Sequence, residues 1–172
     1  NKPFRVFSQE LVTKVLGTSF TVKAKKNDSK ISVTVITGKV SVYDKANTET
    51  PKEKSHKNLT GVVLTPNQEL IYLRDDQRFE KNLVDLPVLI NPEAIKNNFQ
   101  YENVPVEEVL IQLKKAFGIN ILFDKEVLRS CRITADLSDE SIYNKLDLIC
   151  RAMNATYEIV DGQISITAKP CI

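Results

Sequence analysis

Hydrophobic positions follow the same order in two stretches near the C-terminal end of the chain. Between positions 106 and 117 apolar side chains recur at the spacing of one helix face, and between 119 and 123 they alternate as in a strand. Shifting the chain by 36 positions superimposes this pattern on a second copy. The superimposed pairs include Val106 with Ile142, Leu110 with Leu146, and Ile121 with Tyr157. Because both copies change period at the same point, we predict a duplicated strand–helix–strand unit.

Helix and turn signals agree with the two copies. Pro105 suits a first helical position, where its missing N–H costs nothing. Gly118, and Asn154 at the matching position, tolerate the left-handed conformation that ends a helix. Asp161-Gly162 separates two alternating runs, as in a two-residue β-hairpin. These features predict that residues 99–172 form a small α+β domain, a β-α-β repeat with two helices on a sheet.

The first half of the chain shows strand patterns and no convincing helix pattern. Apolar and polar positions alternate over residues 20–25 and 31–35, and another strand–turn–strand pattern covers residues 62–73. Short strands separated by turns predict an all-β domain over residues 1–80, either a sandwich or a solenoid-like fold. We interpret the polar, lysine-rich residues 44–60 as a mobile hairpin loop.

Residues 81–98 are predicted to be a linker between the two domains. Pro87 and Pro92 discourage a continuous helix or strand. The residues Val88-Leu89-Ile90 are apolar enough to pack on a neighbour. We therefore expect an extended connection that lies on one domain rather than a free tether.

Composition and motifs exclude several classes of function. The net charge of +2 is too small to indicate nucleic-acid binding, and no apolar run reaches the roughly 18–20 residues of a membrane span. His56 is the only histidine and has no ligand partner at a metal-binding spacing. Paired carboxylates such as Glu107/Glu108 fall in caps or turns, and no glycine-rich nucleotide loop follows a strand. The sequence predicts no enzyme activity, cofactor or metal, and instead favours protein recognition.

Two groups of residues resemble one known family. From residue 99 the chain reads F-x-Y-E-N-V-P-V-E-E-V-L-x-x-L-x-x-x-F-G-I-x-I, which resembles the C-terminal domain of FecR-type regulators, in the form found in Bacteroidetes. These are membrane-anchored anti-sigma or sigma-regulatory proteins. Their C-terminal domain is itself similar to the short N-terminal domain of secretins and TonB-dependent receptors. Residues 15–22 resemble the V-L-G-T-x-F-x-V signature of the FecR domain, and Asn67 replaces glycine in a turn similar to its L-x-P-G-Q motif.

The resemblance implies a location and partners. The chain is expected to be a periplasmic fragment, with the end of a FecR domain followed by the C-terminal domain, at the periplasmic face of the inner membrane. The implied partner is the N-terminal signalling domain of a TonB-dependent outer-membrane receptor. An extracytoplasmic-function sigma factor would be controlled through a cytoplasmic segment that, like the membrane anchor, lies outside this chain. A periplasmic small-ligand-binding module and a secretin-like assembly module remain open as alternatives.

The three cysteines have different interpretations. Cys150 lies on the apolar face of the second predicted helix and is expected to be a small core side chain. Cys131 opens a predicted strand and Cys171 follows the last one, so both are expected near sheet ends. In an oxidising periplasm their pairing is the preferred disulfide. Free thiols remain the alternative, since the sequence does not establish connectivity.

For the partner-binding site we predict an exposed sheet edge, whose unpaired backbone groups accept a strand from another protein. One of two alternating segments, Cys131–Leu137 or Gln163–Thr167, is expected to offer that edge. The predicted contact residues are Cys131, Ile133, Ala135, Leu137, Ile164 and Ile166.

Overall fold

The computed structural model describes residues 4–8, 10–45, 61–95 and 97–171. They fall into two compact units, Asn1–Glu80 and Lys81–Ile172. His56 and most of the predicted loop at 44–60 lie outside the described residues. In the described ranges no helix is both long and apolar enough to cross a membrane.

The N-terminal unit consists of strands arranged in two four-stranded sheets. The first sheet has the order β1-β2-β5-β6 and the second the order β3-β4-β7-β8. Their bounds are Phe4–Ser8 (β1), Leu11–Val15 (β2), Ser19–Lys23 (β3), Lys30–Thr37 (β4), Val40–Asp44 (β5), Val62–Leu64 (β6), Gln68–Leu73 (β7) and Arg78–Leu83 (β8). Buried residues of both sheets, such as Leu11 and Val42 from the first and Val33 and Leu70 from the second, form one core. Of the two predicted arrangements, this is the sandwich.

The C-terminal unit contains both copies of the predicted repeat. The elements are β9 (Gln100–Pro105), α1 (Val106–Phe117), β10 (Ile121–Leu122), a short α2 (Lys125–Leu128), β11 (Arg132–Asp136), α3 (Ile142–Ala152), β12 (Thr156–Val160) and β13 (Gln163–Thr167). The α+β class is confirmed, with one difference. The predicted single sheet is two sheets, β11-β9 and β10-β13-β12, because the first strands of the two repeats pair with each other.

The long helices begin and end where local signals place them. Gly118 ends α1 with φ 65°, and Asn154 has φ 51° just after α3, so both adopt the expected left-handed conformation. Ser141 caps α3, since its hydroxyl oxygen accepts a hydrogen bond from Asn144 N at 3.2 Å. Pro105 differs from the prediction: with ψ 131° it is the last extended residue before α1 rather than the first helical one.

Helix α2 is an element that the sequence patterns did not predict. Its cap is Asp124, whose Oδ1 accepts hydrogen bonds from Glu126 N at 2.9 Å and Val127 N at 3.2 Å. Leu128 in this single turn is 1% exposed and packs in the C-terminal core. One turn is too short to show helical periodicity, so only the cap residue signals it.

The predicted linker lies on the C-terminal unit. The hydroxyl of Tyr143, on α3, donates to Val84 O at 2.7 Å. Further along, Ile90 N and Asn91 N both donate to Ala116 O, at 2.9 and 3.0 Å, and so satisfy a carbonyl in the last turn of α1. The C-terminal unit therefore includes residues that precede position 98, where the predicted linker ends.

Candidate protein-recognition site

One side of strand β11 is an outer edge of the smaller sheet. In the described part of the chain β11 pairs with β9 alone. Val106 N donates to Cys131 O at 3.0 Å, and Leu137 N donates to Phe99 O at 3.1 Å, so residues 131 and 137 direct their backbone groups toward the β9 segment. Backbone direction alternates along an antiparallel ladder. The N–H and C=O groups at 132, 134 and 136 therefore point away from β9; we call these groups the β11 edge.

The structure corrects the predicted contacts on β11. Cys131 is 1% exposed, Ile133 5% and Leu137 1%, and Ala135 is half-buried, so their side chains lie in the core. The exposed side chains are those of the intervening residues, beginning with Arg132. The prediction chose the apolar residues of the strand as contacts. In a half-buried strand the apolar side chains face the core and the polar side chains face the solvent.

The structure also contradicts the prediction that Gln163–Thr167 is a sheet edge. Strand β13 lies between β10 and β12, with Ile164 opposite both Ile121 and Ile159. Ile164 is 0% and Ile166 7% exposed, so neither side chain is available to a partner. The reason is a parallel pairing between segments about forty residues apart, which no local pattern in the sequence reveals.

Strand β11 is held firmly at its beginning. A disulfide joins Cys131, directly before the strand, to Cys171, with the two Cα atoms 5.2 Å apart. Cys131 N also donates to Leu128 O at 3.0 Å. The remaining cysteine, Cys150, is free and buried, as expected for a core side chain, and burial raises its pKa to about 11. At neutral pH Cys150 is therefore a protonated thiol with little nucleophilic character.

The end of β11 is held by a buried lysine. Lys145, on α3, is 1% exposed, and its ammonium group donates to Leu137 O and, at 3.4 Å, to Ser138 O. The same nitrogen lies 4.3 Å from the centroid of the Phe99 ring, in a cation–π contact. Ser138 Oγ in turn donates to Asn98 O at 2.7 Å. The cation thus joins α3 to the two segments that flank the small sheet.

Burial determines the titration of Lys145. Desolvation lowers its pKa, against the opposing effect of the carboxylates Glu140, Asp139 and Asp136. The sequence analysis did not identify Lys145 as buried, although the 36-residue repeat indicated it. Lys145 matches Val109 in the 36-residue shift, and Val109 is 0% exposed.

The solvent face of the small sheet carries ordered polar side chains. Arg132 Nε donates to Asn103 Oδ1 at 2.7 Å, and Gln100 Nε2 donates to Asp136 Oδ2 at 3.0 Å. Hydrogen bonds from the Ser138 hydroxyl and N–H lower the pKa of Asp136, so this carboxyl is ionised at neutral pH. The edge therefore presents a cation near its beginning and an anion near its end.

A bulge in β9 fits the middle of β11. The register shifts between Ile133 and Ala135, and Asn103 in β9 has φ 51°. Asn103 N donates to Thr134 Oγ1 at 2.9 Å, so a threonine side chain satisfies the backbone donor that the bulge displaces. The Thr134 side chain is thereby ordered from the β9 side, and its own N–H and C=O belong to the β11 edge.

A groove of about 260 Å³ lies elsewhere on this unit, beside α1. Apolar lining comes from Ala94, Val104 and Ile111, and the polar groups include Glu108 and Lys115. Sites for drug-sized ligands usually measure about 300–1,000 Å³ and bring several polar groups together. This groove is smaller and suits one side chain of a partner better than a cofactor. In the described ranges no three His, Cys, Asp or Glu residues are grouped as a metal site would require.

Comparisons with known proteins give a family for the C-terminal unit. The family model described as FecR, C-terminal, matches residues 98–166. Comparison with curated proteins gives no match. Two crystal structures of a candidate anti-sigma factor from Parabacteroides distasonis ATCC 8503 are similar to this chain at 24% identity and a TM-score of 0.39. The alignments cover 97% and 98% of this chain and 72% of each of those chains.

The family match agrees with the residues that first indicated the resemblance, since F-x-Y-E-N-V-P-V-E-E-V-L begins at Phe99 in the matched region. The duplicated repeat, both helix ends and the closing hairpin all lie within or directly beside that region. Residues 98–166 therefore match the family of FecR C-terminal domains.

Proposed function

We propose that this chain is the periplasmic, signal-receiving part of a membrane-anchored anti-sigma regulator. In this proposal it acts by protein recognition rather than catalysis. Its partner is the N-terminal signalling domain of a TonB-dependent outer-membrane receptor, and the signal passes through a cytoplasmic segment to an extracytoplasmic-function sigma factor. The single observation that carries the proposal is the β11 edge, a strand edge with outward backbone groups, exposed side chains and firmly held ends.

The backbone of this edge suits addition of a partner strand. Strand addition obtains affinity from main-chain hydrogen bonds, and an edge that is already ordered loses little conformational entropy when it binds. β11 is ordered by the disulfide at Cys131, by the Lys145 contacts at Leu137, and by the bulge contact at Thr134. The partner strand would continue the β9–β11 sheet.

The disulfide supports the proposed location. Disulfides persist in oxidising compartments such as the bacterial periplasm and are rare where thiols are kept reduced. Cys131 is 1% exposed, and its bond to Cys171 closes a loop of the C-terminal unit, which points to a structural rather than a catalytic role. An enclosed ligand site would favour the small-molecule alternative, and the groove beside α1 does not provide one.

The experiment compares two substitutions at one edge position. Thr134→Pro removes the outward N–H and the side-chain acceptor for Asn103 N, whereas Thr134→Val removes the acceptor alone. The probe is the N-terminal signalling domain of a TonB-dependent outer-membrane receptor, and binding is measured by titration calorimetry. We expect Thr134→Pro to weaken binding at least tenfold more than Thr134→Val, roughly the loss of one or two backbone hydrogen bonds.

Circular dichroism spectra identical to that of the unaltered chain would show that both variants fold. Equal affinities for the two folded variants would exclude β11 as the recognition edge. In that case the outer edge of β12, where Ile159 is 40% and Val160 53% exposed, is the next surface to test.

A further inference from the structure

We infer that the β11 edge also pairs with the β11 edge of a second copy of this chain, antiparallel and related by a two-fold axis that passes between the two Thr134 residues. This inference does not rest on the proposed function, since it concerns the chain alone. It follows from a self-complementary order of groups along one strand. Closed two-fold pairing is the commonest way in which identical chains associate, and it requires a surface that complements itself.

The backbone satisfies that requirement. The outward N–H and C=O groups belong to residues 132, 134 and 136, as the ladder with β9 establishes. In an antiparallel pair centred on Thr134, residue 134 faces its own copy and residue 132 faces 136 of the other chain. Every second pair of an antiparallel ladder is hydrogen-bonded on both sides, so all the outward groups find partners at once. The two small sheets would join into one four-stranded sheet, in the order β9-β11-β11-β9.

The side chains along β11 are also self-complementary. Arg132 of each copy would lie opposite Asp136 of the other, on the solvent face of the joined sheet, where both residues are exposed. Directly opposite residues in a sheet have their Cβ atoms about 4.5–5.5 Å apart, and opposite charges at that distance are favourable. Two such pairs form by symmetry, and the two Thr134 side chains meet at the centre. No other register of the strand on itself matches both charges.

Neighbouring contacts order the Arg132 and Asp136 side chains, and both side chains keep hydrogen-bonding groups for a second chain. Asn103 Oδ1 binds Arg132 Nε at 2.7 Å, and the Asn103 carbonyl accepts from a terminal guanidinium nitrogen. A guanidinium has five N–H donors, so others stay available. Asp136 accepts from Gln100 and Ser138, and a carboxylate has about four acceptor positions. The contact area of one short strand is small, so we expect a weak, concentration-dependent dimer.

The test uses charge reversal in the intact chain. Arg132→Asp and Asp136→Arg each place two like-charged pairs across the proposed interface, and the double variant, with both changes, restores two opposite-charged pairs. Sedimentation equilibrium over a concentration series reaching the millimolar range measures the dimer dissociation constant. We expect each single variant to raise it at least about tenfold, and the double variant to recover most of the loss. Mixing the two single variants should produce a heterodimer.

The double variant is also the control for local damage. If reversal only disturbed the contacts with Asn103 and Ser138, the double variant would associate worst of the four chains. Amide hydrogen exchange adds a positional readout: the outward Thr134 N–H should exchange more slowly as concentration rises. A chain that is monomeric at every concentration, or a double variant as weak as the singles, would overturn the inference. If the chain stayed monomeric but still bound the receptor domain, the dimer inference would be overturned and the proposed function would remain intact.

Discussion

Lys145 provides a direct test of what holds the end of β11 in place. Lys145→Met keeps an unbranched apolar stem of similar length and removes the ammonium group. That group donates to Leu137 O and to Ser138 O and lies over the Phe99 ring. Hydrogen bonds from a charged donor contribute about 1.5–3 kcal/mol each, and a desolvated cation–π contact about 2 kcal/mol or less. Relief of the buried charge offsets part of this loss.

We therefore expect Lys145→Met to destabilise the C-terminal unit by about 1–3 kcal/mol, chiefly because Leu137 O remains buried without its donor. Lys145→Ala also loses the packing of the stem, which is 1% exposed, and should cost about 3–5 kcal/mol. Lys114→Met is the matched control. Lys114 is exposed on α1, and its substitution should change stability by less than about 0.5 kcal/mol.

The assay is native-state hydrogen exchange in the intact chain, because two compact units need not unfold together. Protection of the buried amides in α3 reports the free energy of opening for the C-terminal unit alone. If Lys145→Met were as stable as the unaltered chain, the ammonium contacts would add nothing beyond apolar filling. The conclusion that this cation holds the end of β11 would then be wrong.

The remaining predictions concern the disulfide, a helix end and a buried phenol. Replacing both Cys131 and Cys171 with alanine should cost about 4 kcal/mol, the chain-entropy value for a loop of about 40 residues, measured by urea unfolding beside a reduced sample. Gly118→Ala should lower the free energy of opening measured at the α1 amides by more than about 1 kcal/mol, because φ is +65° and the new Cβ meets the linker isoleucine. Gly17→Ala has φ +66° and open space around the new Cβ, so it should lower stability only through the strained backbone conformation. Burial raises the pKa of Tyr101 to about 12, so its neutral form contributes stability below pH 10 that is lost between pH 10 and 12. Tyr101→Phe should make alkaline unfolding, followed by circular dichroism, less steep; an unchanged slope would contradict this.

The structure adds a feature to the C-terminal domain that its repeat alone does not show. The linker contributes Leu83 to the core, accepts a hydrogen bond from Tyr143, and satisfies Ala116 O at the end of α1. These contacts precede residue 98, where the family match begins. A fragment that begins at the match would therefore lack part of the packing of its own helices.

Sequence by itself determined the features that depend on local chemistry. The two repeats follow from apolar periodicity, because which face of a helix or strand is buried is set within a few residues. The ends of α1 and α3 follow from Gly118 and Asn154, because a left-handed residue depends on its own backbone energetics. The hairpin at Asp161-Gly162, with φ 51° and 67°, is local for the same reason.

Only the tertiary structure decided which backbone groups stay open. β13 is a central strand because β10 pairs with it from about forty residues away, and β11 is an edge because its pairing with β9 leaves one side without a strand in the described chain. The burial of Lys145 likewise depends on carbonyls at the end of β11 and a ring from the start of the domain. The residues of a strand do not reveal which strands lie beside it, because strand pairing depends on how distant segments pack together.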